Sequence, residues 1–211
     1  MEFLCVDFEF TVKQGFGSPR AWFPEIIEVG AVRINEAGEL DNEHYSAFVK
    51  PRFYPKLTMD CYGITGIRQE DVDGGVPLET ALTALKKLAP NPDTWLVAWG
   101  DADRRILGNV CHKYGLDYPY IWENYCDLAE SYQLFYNLER KSSLKNAVQA
   151  MQVEKVGIFH SALDDAINAG LVMRKMLTQG WVAQRAPVIP DPRNVDQPRI
   201  TVAMVQQTKG F

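Results

Sequence analysis

Apolar and polar positions change their spacing several times along the 211-residue chain, and each change marks an element. Phe3-Leu4-Cys5-Val6 is too short an apolar run for a helix and apolar enough for a buried strand, which ends in Asp7-Phe8-Glu9-Phe10. Residues 12–24 hold Gly15, Gly17, Pro19 and Pro24 and read as a loop that also carries Phe16, Trp22 and Phe23. Ile26–Ile34 is a second strand, Asn35–Glu39 a turn and His44–Lys50 a third strand, so strands two and three form a hairpin. The period then lengthens. Leu78, Ala81, Leu82, Leu85 and Leu88 line one face of a helix over 77–89. Trp95–Trp99 is a short buried strand, and the helix after it runs from Ala102 to Tyr114, where Gly115 stops it. Asn124–Leu128 suits a strand and Ala129–Tyr136 a helix. Ser142 or Ser143 caps a helix to about Met151, and a long helix spans Ser161 to Thr178 before Gly180. This order predicts an α/β chain with a mixed sheet.

Composition narrows the picture. Hydrophobic residues at 46% and charged residues at 23% are ordinary for a globular chain able to bury its own core. From Ala186 onwards the pattern fades: Pro187, Pro190, Pro192 and Pro198 mark a linker, with Ile200–Val205 as a candidate terminal strand. The expected division is a domain over 1–182 and a Pro-rich tail over 183–211. No apolar run approaches the ~18 residues of a membrane helix, and the N-terminus meets an acid at once, so neither a membrane span nor a signal peptide is expected. Four cysteines without CxxC spacing suit reduced thiols in a cytoplasmic protein. A net charge of −5 speaks against a broad basic face gripping duplex DNA. It leaves room for a site built of carboxylates, whose local charge a bound Mg²⁺ would reverse.

Three clusters can carry chemistry. Asp7 and Glu9 lie two apart at a strand end, so both side chains share a face. Two like charges there are costly without a cation, and hard carboxylate oxygens suit Mg²⁺ or Mn²⁺. The plain alternative is a strand end meeting solvent. Asp103 follows another buried strand, with Asp101 placed to cap the next helix. His160 precedes Asp164-Asp165 at a helix start, where an acidic pair is favoured in any case. Together the clusters supply up to four carboxylates and a histidine. That set can hold two divalent ions ~4 Å apart for in-line phosphoryl displacement, with a histidine outside the metal shell taking the proton from water. On a helical wheel Asp165 falls beside Ala162, Ala169, Val172 and Met176, the stripe expected to face the sheet. Asp164 falls among Asn168, Lys175 and Gln179, the most polar arc, and is expected on the solvent side or behind the metal ligands.

Asp7-Phe8-Glu9, Trp99-Gly100-Asp101-Ala102-Asp103, and His160 four residues before Asp165 resemble the three motifs of the DEDDh, or DnaQ-like, 3′–5′ exonucleases. The resemblance spans about residues 1–180. Glu25-Ile26-Ile27-Glu28-Val29-Gly30-Ala31-Val32 and Leu57-Thr58 through Tyr62-Gly63-Ile64-Thr65-Gly66-Ile67 look most like the Eri-1-type and KapD-type branch. It implies a ribonuclease-H-like fold with a mixed five-stranded sheet flanked by helices. It also implies release of 5′-mononucleotides from single-stranded 3′ ends, RNA or short oligonucleotides, with two Mg²⁺ or Mn²⁺ ions. Asp7, Glu9, Asp103 and Asp165 become metal ligands, and Glu9 and His160 the catalytic pair with His160 as general base. Phe10, Thr11, Ile64 and Thr65 would lie against the terminal nucleotide. Phe10 and Tyr62 depart from the small polar residue and the histidine that many relatives carry there. Two rival readings are a haloacid-dehalogenase-type phosphatase and a non-catalytic RNA-binding or regulatory module. Asp7-Phe8-Glu9-Phe10-Thr11 lacks the second aspartate of the phosphatase motif, and that class leaves His160 and Asp165 without a task. A module without catalysis has no need of a complete acidic set.

Overall fold

In the computed structural model, residues 2–13, 21–35, 37–118 and 124–187 are described; Phe16 and the candidate strand Ile200–Val205 lie outside them. Five strands form one sheet: β1 (Phe3–Phe10), β2 (Ile26–Ile34), β3 (Leu40–Phe48), β4 (Trp95–Ala98) and β5 (Tyr125–Asp127). Their order is β3-β2-β1-β4-β5, with β1–β2 and β2–β3 antiparallel and β1–β4 and β4–β5 parallel. This is the expected mixed sheet. β3 starts earlier and ends earlier than the apolar pattern indicated, because its first residues pair as an exposed polar edge that carries no burial signal.

Alternation along β1 builds two cores. Leu4, Val6 and Phe8 point into a core with Leu78, Ala81, Leu82 and Leu85 of α3 (Leu78–Leu88) and Leu107, Val110 and Cys111 of α4 (Ala102–Tyr114). Phe3 and Cys5 point to the other side, against α5 (Leu128–Phe135), α6 (Leu144–Ala150) and α7 (Ala162–Thr178). Each fully buried leucine or isoleucine in these layers contributes about 1.5–3 kcal/mol by leaving water. The helix ends follow local chemistry. Ser143 accepts the Asn146 amide at the start of α6, Asp127 accepts the Glu130 amide at the start of α5, and Gly115 takes φ 69° beyond α4.

Two short helices, α1 (Met59–Thr65) and α2 (Gln69–Asp73), are present where the apolar pattern gave nothing. With seven and five residues they are too short to show a periodic stripe. Thr58 caps α1 through the Cys61 amide. Beyond α7, Trp181 is buried and the chain runs along β5, where the Ala186 amide donates to the Tyr125 carbonyl at 2.8 Å. All four cysteines are buried and none is in a disulfide. No described helix is long and apolar enough to cross a membrane.

Candidate active site

The strand ends of the parallel half of the sheet converge on a group of acids. Asp7 and Glu9 continue the Phe3–Cys5 face of β1, the face covered by α7, so their spacing delivers both to one side. Asp7 lies opposite Gly30 of β2 and Glu9 opposite Glu28. Asp103 arrives from the first turn of α4 and is buried; its Oδ1 accepts the Phe8 amide at 2.9 Å, which ties it to the strand between Asp7 and Glu9. Asp101 holds the N-cap position of α4 but not the expected capping bond. Its carboxylate binds Arg104 at 2.7 and 2.9 Å and also engages Arg105. Arg104 is accordingly buried, 4.5 Å over the Tyr125 ring, rather than on a solvated helix face.

The α7 start completes the group, and its placement depends on Gly30. A Cβ at Gly30 would stand 2.1 Å from the backbone of Ala162 and Leu163. Only a residue without a side chain lets the helix end rest directly on β2. Ser161, the N-cap residue, makes no side-chain cap. Glu28 of β2 does that work instead, its Oε2 accepting the Ala162 amide at 3.2 Å. Asp165 is thereby held in the buried layer, with Oδ2 accepting the His160 amide at 2.9 Å. Its other oxygen, Oδ1, is buried with no hydrogen-bond partner. His160 is exposed and adopts φ 68°, a left-handed conformation that a residue with a side chain enters at a cost. Donor atoms of Glu9, His160 and Asp165 all lie within 4.8 Å of one another.

The electrostatics follow from this crowding. Burial first, then the charges of Asp103, Asp165, Glu9 and Glu28, hold the Asp7 carboxyl well above its usual range. Burial, with Glu28, Asp165 and Asp103 adding to it, raises Glu9 from 4.5 to about 8. Asp103 is raised from 3.8 to about 7, mainly by burial, against the opposing bond from Phe8. Burial likewise raises Asp165, while the bond from His160 works the other way. Such a group is stable as a set of protonated acids or as a set of carboxylates around a cation. An orphaned buried carboxylate oxygen, three further acids and an imidazole suit a hard divalent ion such as Mg²⁺ or Mn²⁺.

The residues expected against substrate divide. Ile64 is 52% exposed on α1, open to a ligand rather than packed in a core. Phe10 is half-buried, edge-on to Phe8. Thr11 and Thr65 are buried and their hydroxyls serve the fold: Thr11 accepts the Glu25 amide, and Thr65 donates to the Cys61 carbonyl while accepting from Ile67. Phe23 is buried among Phe53 and Tyr54, and Trp22 leans on Tyr54, so these rings pin their loop to the body. Two acids had no role in the reading by residue type. Glu28 caps α7, and Glu25 is fully buried, accepting the amides of Arg52, Phe53 and Tyr54 and the Tyr114 hydroxyl. Their signal is an acid at either side of Ile26-Ile27, where a buried strand has no reason to carry one.

Comparison with known proteins places this geometry. The family model RNase_T, described as Exonuclease, matches residues 4–173. The chain is 34% identical over 166 residues to the Bacillus subtilis (strain 168) protein named "Probable 3'-5' exonuclease KapD", covering 79% of this chain and 80% of that one. It is 33% identical over 181 residues to ERI1 exoribonuclease 2 of Homo sapiens, covering 75% of this chain but 26% of that much longer protein. Among solved structures, the nuclease domain of 3'hExo, a DEDDh family member bound to rAMP, superposes with a TM-score of 0.80 at 25% identity, covering 89% of this chain and 97% of that one.

Proposed function

Because the chain belongs to the RNase_T exonuclease family and is a 3′–5′ exonuclease of the DEDDh type, we propose that it trims single-stranded RNA or short oligonucleotides from their 3′ ends, releasing 5′-mononucleotides. The observation that carries the reading is the buried, unpartnered Oδ1 of Asp165, in a carboxylate that has an oxygen within 4.8 Å of ligand atoms of Glu9 and His160. Asp7, Glu9, Asp103 and Asp165 would hold two Mg²⁺ or Mn²⁺ ions. When bound, these ions supply charge stabilisation at the phosphoryl oxygens and lower the pKa of water. His160, exposed at the mouth of the group, accepts the proton from the attacking water. The water oxygen bonds to phosphorus, the bond from phosphorus to the 3′ oxygen of the penultimate nucleotide breaks, and that oxygen takes a proton from solvent to leave as a new 3′-hydroxyl while His160 returns its proton to solvent. The exposed Ile64 and the half-buried Phe10 offer apolar surface to a base without reading its identity. The preference for RNA draws support from the likeness to ERI1 exoribonucleases and to a nuclease domain solved with rAMP.

A time course on matched 5′-labelled RNA and DNA single strands, with Mn²⁺ or Mg²⁺ and with EDTA, tests this. Stepwise shortening that EDTA stops is expected, with 5′-mononucleotide as product and RNA consumed faster. Internal cleavage, or products carrying a 3′-phosphate, would overturn it.

A further inference from the structure

Asp164, Asn168 and Lys175 of the polar arc of α7 are turned to the chain, and only Gln179 of that arc is exposed. The three form a rail along which the segment 151–160 is fastened. Lys175 donates to the carbonyls of Met151 and Gln152. One turn pair further toward the N-terminus, Asn168 is fully buried and makes a two-way pair with Val156, accepting its amide at 3.0 Å and donating to its carbonyl at 2.9 Å. Four residues on, Asp164 Oδ2 accepts the Ile158 amide at 2.9 Å. Asp165 then takes the His160 amide. Positions 164, 168 and 175 share one face of a helix, so the rail runs antiparallel to the segment it holds. Gly157, at φ 52°, is pressed against Asp164: a Cβ there would stand 1.9 Å from the carboxylate oxygen. Lys155 folds back onto the Gly157 carbonyl and the Phe159 ring. Met151, Val153 and Phe159 pack against the core beneath α7, but between them Val156 is only half-buried and Ile158 is 66% exposed. Between Val153 and Phe159 the segment's course is therefore set by side chains of α7, and His160 in its unfavoured backbone conformation follows directly on that stretch.

We infer that Asp164 and Asn168 are positioning residues for the reaction: by fixing Ile158 and Val156 they aim the His160 imidazole at the acid group. The inference rests on the reading of His160 as the proton acceptor. Neither residue reaches the reacting atoms, so the loss expected from the bonds they make acts on kcat through His160. The Asp164 charge also bears on Asp165 and Glu28, and Asp164→Asn removes that charge while keeping the acceptor. A misplacement of about 1 Å in a catalytic group can cost on the order of 10²-fold.

The test is a double-mutant cycle in the full chain. Asp164→Ala should lower kcat roughly 10- to 100-fold, with KM for a single-stranded oligonucleotide and Mn²⁺ binding unchanged. Asp164→Asn, which keeps an oxygen acceptor for Ile158, should retain most of the activity. In a His160→Ala background, Asp164→Ala should cost less than about twofold more than Asp164→Asn, because the route of the lost bond through His160 is gone. Asn168→Ala should follow the same pattern. Should it fail to fold, the Asp164 variants decide alone. Equal losses in both backgrounds, or no loss with His160 present, would overturn the inference. Amide hydrogen exchange separates this failure from failure of the base assignment. Protection of Ile158 and His160 should fall in Asp164→Ala whatever His160 does, and unchanged protection would overturn the rail itself. Full activity of His160→Ala would instead overturn the base.

Discussion

The two walls of the site are built by different means. Asp7, Glu9 and Asp103 stand on a strand and a helix turn whose positions are fixed by apolar layers on both sides of the sheet. His160 stands on an irregular segment, exposed, with a left-handed backbone, beyond a stretch over 154–158 that makes no apolar contact with either core. The acids belong to the part of the protein that must be rigid, because a shift of one spoils the spacing of all. The histidine belongs to a part that hydrogen bonds hold in place and can release at low cost. Asp165 joins the walls, rigid through α7 and bonded to the His160 amide.

Substitutions on the two walls should therefore fail differently. Asp7→Asn, Asp103→Asn and Asp165→Ala are each expected to drop nucleotide release to background and to abolish tight Mn²⁺ binding, measured by calorimetry. His160→Ala should lose roughly 10²–10⁴-fold in rate, the usual size of a general-base contribution. Mn²⁺ binding should survive in it. If His160→Ala bound Mn²⁺ as poorly as Asp165→Ala does, the imidazole would be a ligand, and the contrast between the walls would collapse. Gly30→Ala sharpens the contrast from the rigid side. Its methyl group meets backbone rather than a side chain that can turn away. It should destabilise the fold by about 1–3 kcal/mol or more, read as a lower melting temperature. An unchanged melting temperature would mean that α7 slides freely on β2.

A smaller effect comes with pH. Glu9 and Asp103 are raised to about 8 and about 7, so the fold keeps their protons where the unfolded chain has released them. Their contribution to the stability of the metal-free protein is full below the unfolded values near 4 and is lost as pH rises through the folded ones. The metal-free melting temperature should fall between about pH 5 and pH 8.5 by several degrees. Added Mn²⁺ should restore more at pH 8.5, because ligands must shed protons to bind it. A metal-free melting temperature that climbs over this range would refute the raised acids.

Much of this was legible in the chain. Period two along Phe3–Glu9 gave the shared face of the two acids, and the apolar runs gave the parallel strands that bring Asp103 to them. The wheel separated Asp165 from Asp164. What it left out was the meaning of the polar arc: Gln179 is exposed as a polar arc suggests, yet Asn168 and Lys175 bond to the backbone of 151–156. Periodicity registers burial in oil, and a polar residue satisfied by a buried backbone gives the same letter as one in water. The same blindness hid Glu25 and Glu28, and helices as short as α1 and α2 have no stripe to read.

The bond from Glu28 to the amide of Ala162 spans 134 residues of sequence, and that from Phe8 to Asp103 spans 95. Such distant closures are the slow ones in folding. During synthesis Asp7, Glu9 and Asp103 emerge long before His160 and Asp165, so a chain that still lacks residues 160–211 holds three of the four acids without the fourth or its neighbouring histidine. The acid group is therefore assembled only when segments from opposite ends of the domain have met.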